Sequence, residues 1–191
     1  MSILSIRTLL LILILIGIFI VFKAIKLFKN AFNGDVLLAL PYHDSVGNFT
    51  VSKSGIYAIW HKGPPFKKTP LAQFRPHISN TATDTEIKLN HSILSPRSNN
   101  FDTGRMELFT FLAEVGHYEL KLVPGSSTSR LQAAVGNAIP LADIDLSRYF
   151  IEVKESQSQI LTILAIPLLL LGILGIVGSL VLGLLAEQFF V

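Results

Sequence analysis

The side chains best suited to acid–base or metal chemistry in this chain are its five histidines: His43, His61, His77, His91 and His117. No two lie two or four residues apart, the spacings that would set a pair of imidazoles on one side of a strand or helix. His43 adjoins Asp44, but neighbours on a strand point to opposite faces. Serines are plentiful, yet none occupies a Gly-x-Ser-x-Gly elbow. There is no glycine loop for phosphate and no dinucleotide fingerprint. The absence of cysteine excludes thiolate chemistry, a disulfide framework and Cys-ligated zinc or iron–sulfur centres. Asp143 and Asp145 would share a face of an extended segment, but Pro140 to Asp145 reads better as a turn before the last strand. The sequence therefore points to a non-enzyme, with no catalytic group, cofactor or metal ligand assigned. A metal site assembled from distant residues stays open.

Two segments could recognise a partner. The first is Trp60 with Lys62, Pro64, Pro65, Phe66, Lys67 and Lys68, which combines stiff prolines, aromatics and lysines. The second is the polar stretch from Ser92 to Arg105, with Asn99, Asn100 and Phe101 at its middle. The plainer reading puts Trp60 in the core and leaves Pro64 and Pro65 to shape a turn.

The elements that must position these residues fall into three parts: 1–33, 34–155 and 156–191. Ile3 to Phe22 is almost continuous Ile, Leu, Val and Phe, interrupted by Arg7, and Ile160 to Ala186 carries no charge. A bilayer core about 30 Å thick needs roughly 20 apolar helical residues, so both ends read as transmembrane helices. The first run is too long for a signal-peptide core and lacks a small-x-small cleavage site. It continues through Lys23, Lys26 and Lys29 on one helix face, which with Arg7 are expected at the membrane interface. The second run would extend about 40 Å, so tilt or projection is expected. Gly175, Ser179 and Gly183 form a small-xxx-small ladder with Gly172 close to the same stripe. This predicts a helix-packing face for the first helix, a second copy or another protein. Neither span buries an ionisable residue beyond Arg7, which disfavours a channel or transporter.

The chain carries a formal net charge of +3. Between Asn30 and Gln159, twelve basic residues meet twelve acidic ones. The excess cations therefore lie beside the apolar runs, where anionic headgroups are, and the middle region offers no basic patch for nucleic acid.

That middle region alternates apolar and polar residues, as in Thr85–Leu89, Tyr118–Leu122 and Tyr149–Val153. Further strands are expected at Val36–Leu40, Phe49–Ser52, Ile56–His61, Ala72–Ile78, Met106–Ala113 and Arg130–Val135. Eight or nine short strands with one apolar face each predict two packed antiparallel sheets, an all-β sandwich between two membrane helices. Gly55-Ile-Tyr57 and Gly116-His-Tyr118 each follow a strand and a tight turn. This pattern resembles the Gly-x-Tyr corner of immunoglobulin-like and jelly-roll sandwiches, which implies a tyrosine hydroxyl bonded to nearby backbone.

The expected protein is thus an integral membrane protein, of a bacterial inner membrane, with its sandwich extracytoplasmic and both termini cytoplasmic. Lys23, Lys26 and Lys29 run against that orientation under the positive-inside rule, which weakens for long translocated domains. Its expected partners are the lipid bilayer and another membrane or periplasmic protein, or itself as a homo-oligomer. The expected role is a protein-interaction or structural subunit, for example a toxin-immunity protein. The alternatives are a sensory module binding carbohydrate or lipid through Trp60 or Tyr57, and a membrane-tethered hydrolase.

Overall fold

The computed structural model describes residues 3–65, 69–100, 102–125, 127 and 145–190. It divides into two compact units, Met1–Ala31 with Ser158–Val191 and Phe32–Gln157.

The first unit contains helix α1 (Ile3–Asn30), helix α2 (Gln159–Leu184) and the short α3 (Ala186–Phe190). At 28 and 26 residues, α1 and α2 are long and apolar enough to cross a bilayer by length and composition. They pack on each other through small residues. Gly17 and Ala24 are buried on α1, as are Ala165, Gly172 and Ser179 on α2. Leu10 and Ala31 extend the first series, and Ala186 the second, always in steps of seven. A seven-residue step returns a side chain to almost the same face of a helix, so one seam stays in contact along the pair. A step of four advances about 40° each time. Of the expected ladder, Ser179 and the neighbouring Gly172 therefore lie on this seam, and Gly175 and Gly183 lie beside it. A β-carbon on Gly175 would meet nothing within 4 Å, and one on Gly183 would make only an ordinary contact with Leu10 at 3.8 Å. At Gly172 a β-carbon would lie 2.7 Å from Val21 Cγ2 and 3.1 Å from the Gly17 carbonyl oxygen. The rest of both helices turns large apolar side chains outward, among them Leu11, Phe19, Leu170 and Leu174.

Helix α1 runs unbroken through Lys23, Lys26 and Lys29, all exposed. Lys23 Nζ sits 5.3 Å from the centroid of the Phe19 ring one turn earlier. Arg7 pairs with Glu187 at 2.9 Å.

Among the described residues, the second unit has ten strands, all paired antiparallel. They are β1 (Val36–Pro41), β2 (Val46–Val51), β3 (Gly55–Gly63), β4 (Phe74–Asn80), β5 (Thr85–Glu86), β6 (Asn90–His91), β7 (Arg97–Asn99), β8 (Gly104–Ala113), β9 (Gly116–Pro124) and β10 (Phe150–Ser156). One sheet runs β1-β10-β3-β8-β6, with β7 also on β8; the other runs β2-β9-β4-β5. The expected strand Arg130–Val135 lies outside the described residues.

The turns β2–β3 and β8–β9 are arches that carry the chain from one sheet to the other, and they lie side by side: Gly55 pairs with Ala113, and Val51 with Gly116. Each arch is tied by its tyrosine. The Tyr57 hydroxyl donates to the Lys53 carbonyl at 2.6 Å, and the Tyr118 hydroxyl donates to the Glu114 carbonyl at 2.9 Å. Both rings are 2 % exposed and join Phe49, Ile59, Ile78, Phe111, Leu120, Ile151 and Val153 in one core shared by the two sheets.

His61 belongs to this interior. It shares a 3.2 Å hydrogen bond with the Tyr42 hydroxyl and stacks on Tyr149, ring centroids 5.6 Å apart. Burial pushes its imidazole down to about 4 and raises the Tyr42 phenol.

Two predictions follow from this packing. Gly172→Leu should destabilise the helix pair by about 1–3 kcal/mol through overpacking, while Gly175→Leu leaves it unchanged. Thermal melts of the full chain in maltoside micelles, followed at 222 nm, test the difference. For His61, the unfolded chain takes up a proton near pH 6.5 that the folded chain refuses until about pH 4. Stability should therefore fall as pH drops from about 6.5 to about 4, by roughly 3 kcal/mol, and level off below. Urea titrations across that range should show a flatter pH dependence for His61→Gln than for the parent chain.

Candidate functional site

The sheet order that joins β4 to β9 leaves the opposite edge of β4 largely open. Strand β5 pairs only with its last residues, Ser79 to Glu86 and Asn80 to Thr85. Pro76 lies in the unpaired stretch, and prolines are accommodated in sheets where their missing N–H meets no neighbour. The turn before β5 is shaped by Asn80, whose side-chain oxygen accepts from the Ala82 and Thr83 amides at 2.9 and 3.3 Å. The chain then crosses from one sheet to the other. Ile87 N–H donates to the Ile78 carbonyl at 2.8 Å, and by Asn90 the chain pairs with β8. The alternating run Thr85–Leu89, expected as one strand, is therefore a bridge between sheets with two strand residues at its start.

Beneath this bridge is a cavity of about 400 Å³. Its apolar lining is Pro76, Ile87, Leu89 and Phe109, with Pro76 and Phe109 buried. Its polar lining is Arg75, His77, Glu86, Lys88 and His91. His77 Nδ1 donates to Glu86 Oε1 at 2.5 Å, which fixes the imidazole tautomer and leaves Nε2 as an acceptor in the neutral ring. The His91 ring lies over Phe109, centroids 4.6 Å apart. Arg75 and Lys88 have no carboxylate within ion-pair distance among the described residues. Two of the five histidines thus line one cavity through topology, one from each sheet, where no sequence spacing announced them. Among the described residues, no three His, Asp or Glu side chains converge as a metal site. The described lining also offers no Ser, Thr or Cys as a nucleophile.

The other histidines lie elsewhere. His43 and Asp44 stand in the turn after β1, where Nε2 and Oδ1 approach to 3.4 Å on an exposed surface. The strand rule that separates neighbours does not apply in that turn. His117 bonds Thr50 at 3.0 Å on the other sheet.

The expected partner segment begins inside a strand. Strand β3 runs on to Gly63, so Trp60 and Lys62 are sheet residues. Trp60 is 2 % exposed, under the Phe32 ring at 6.1 Å and the Lys154 ammonium at 5.3 Å. Burial of both Trp60 and Tyr57 removes the aromatic-lined surface that a carbohydrate or lipid site built on them requires. Pro64 and Pro65 are partly exposed after the strand, and Phe66, Lys67 and Lys68 lie outside the described residues. In the second candidate segment, Arg97–Asn99 pairs with β8 as a strand, and Phe101 lies outside the described residues.

Around Trp60, on the sheet face opposite the core, lies a buried charge cluster. Glu152 accepts from Lys62 Nζ at 3.1 Å, and Arg105 Nε stands 3.6 Å from its other oxygen. Glu107 accepts from the Ser92 hydroxyl at 2.7 Å. Lys154 donates to the Phe32 carbonyl at 3.1 Å. Burial first, then the Arg105 charge, lower the Lys154 ammonium below the usual lysine range, and Glu152 opposes them. These charges hold the chain's entry segment and the β6–β7 connection onto the sheet, and they fill the space in doing so. The cavity under the 87–89 bridge is, among the described residues, a concave and partly polar feature able to receive a ligand.

No protein family matches the sequence, and no curated protein or solved structure is detectably similar to it.

Proposed function

We propose that this chain is a two-span membrane protein whose sandwich is a recognition module, with α1 and α2 as its anchor and the cavity between the sheet edges as its binding site. The observation that carries the reading is the cavity itself. It joins an apolar floor to converging imidazole, guanidinium, ammonium and carboxylate groups, at a volume of about 400 Å³ that suits a small molecule. The anchor role draws on the seam. Gly17, Ala24, Ala165, Gly172 and Ser179 pack α1 and α2 on each other, and both helices turn large apolar side chains outward, as a lipid environment would favour. The reading is non-enzymatic: binding and not turnover is what it assigns to the cavity.

A second reading, a protein-interaction or structural subunit such as a toxin-immunity protein, draws on Ile93, Leu112 and Val115. These sandwich side chains are 78 %, 71 % and 66 % exposed. In either case we place the protein in a bacterial inner membrane with the sandwich outside the cytoplasm. The two-sheet architecture, common among cell-surface domains, supports that placement, and the lysines at the end of α1 oppose it.

Native mass spectrometry of the full chain released from mild detergent tests the module reading. The parent should carry a small-molecule adduct that a cavity-filled Leu89→Trp variant lacks. Identical spectra, or a stoichiometric protein partner retained by both, would favour the interaction subunit. Protease treatment of intact spheroplasts should degrade the sandwich, and inverted vesicles should protect it; the reverse pattern would overturn the orientation.

A further inference from the structure

We propose that the cavity under the 87–89 bridge selects a soluble organic anion: a carboxylate or phosphate ester held by Arg75 and Lys88, carried on a small ring or apolar body seated against Phe109. The inference rests on the recognition-module reading and adds the chemical class of what is recognised.

Charge sets the sign of the ligand. The described lining carries two fixed cations, Arg75 and Lys88, and one carboxylate, Glu86. That carboxylate already accepts from His77 through one oxygen at 2.5 Å. The two cations have no such partner among the described residues. A guanidinium offers a forked pair of donors that matches the oxygens of a carboxylate or phosphate, and an ammonium adds a point charge beside it. A cationic ligand would meet an uncompensated excess of like charge.

Shape sets the rest of the molecule. Phe109 is 3 % exposed and packs at a tilt against the His91 ring, centroids 4.6 Å apart, so the two rings together form one wall of the cavity. Pro76, Ile87 and Leu89 continue that wall as apolar surface. A bare inorganic anion would leave this wall wetted, whereas a ring or short aliphatic body covers it and gains from its burial. In its neutral form the His77 ring, held by Glu86 through Nδ1, leaves Nε2 to accept a hydrogen bond from a hydroxyl on the same body.

Isothermal titration of the full chain in dodecyl maltoside micelles, which contain no phosphate, tests this with phenyl phosphate, benzoate and neutral benzyl alcohol. Phenyl phosphate and benzoate should bind, and benzyl alcohol should bind at least tenfold more weakly. Arg75→Gln and Lys88→Gln should each weaken phenyl phosphate at least tenfold, and Lys53→Gln in the β2–β3 arch should leave it unchanged. Raising salt should weaken phenyl phosphate and not benzyl alcohol. Both replaced side chains are exposed, and circular dichroism of each variant checks that the fold persists. If benzyl alcohol binds as well as the anions and Leu89→Trp abolishes it, the anion class is overturned while the recognition module stands. If none of the three probes binds, or binding is indifferent to Leu89→Trp, the site and the module reading fall together.

Discussion

The second unit depends on two tyrosine hydroxyls. Tyr57 and Tyr118 each stand just after a tight arch that takes the chain from one sheet to the other, and each reaches back four residues to a carbonyl in that arch. A carbonyl left unbonded beside a core costs roughly 1–3 kcal/mol, so the arch requires a donor that arrives from the interior side. A phenol is suited to this: its ring fills the core and its hydroxyl emerges at the edge. Because the arches pair with each other in both sheets, the two tyrosines together set the spacing of the sandwich. The Phe49 ring stacks on Tyr118 at 5.6 Å and Phe111 leans on Tyr57 at 5.9 Å, which carries that spacing into the core.

The two units solve the same packing problem in opposite ways. In the sandwich, large aromatic and branched side chains interdigitate and leave the backbones well apart. In the helix pair, small residues at Gly17, Ala24, Ala165, Gly172 and Ser179 bring the backbones together. The difference follows from the reading of the helices as lipid-embedded. In water, large apolar side chains gain by leaving solvent; in lipid they gain nothing by that route, and close van der Waals approach takes over. The ionic residues follow the same division. Arg7 and Glu187 meet on an exposed surface, where a pair contributes little, whereas Glu152 and Lys154 are enclosed and must each have a partner.

Much of the architecture was legible in the residues. Two apolar runs of helical length, alternating strands and two Gly-x-Tyr corners were enough to expect two helices flanking a sandwich, and β1, β3, β8 and β9 fall close to their expected spans. The misreadings share one cause: alternation says that two faces of a strand differ, not that the polar face is wet. Glu107, Glu152 and Lys154 alternate with core residues as solvent-facing charges would, yet each is under 5 % exposed because Phe32 and the residues after His91 lie over them. Likewise Thr85–Leu89 alternates cleanly but spans two sheets, since alternation is blind to where a strand changes partner. The cavity was not legible at all. Its histidines are fourteen positions apart in sequence and come from different sheets, and pairing between distant strands is information that local pattern does not contain.

The pairing of β1 with β10 has a mechanical side. Val36 lies opposite Lys154, so the chain enters and leaves the sandwich at the same end of two neighbouring antiparallel strands. Tension drawing those two ends apart loads the β1–β10 ladder one rung at a time, in peeling geometry, instead of loading all rungs at once in shear. Strand β1 is the outermost of its sheet, so it yields first, and the arches joining β2 to β3 and β8 to β9 bear load only after it has come away.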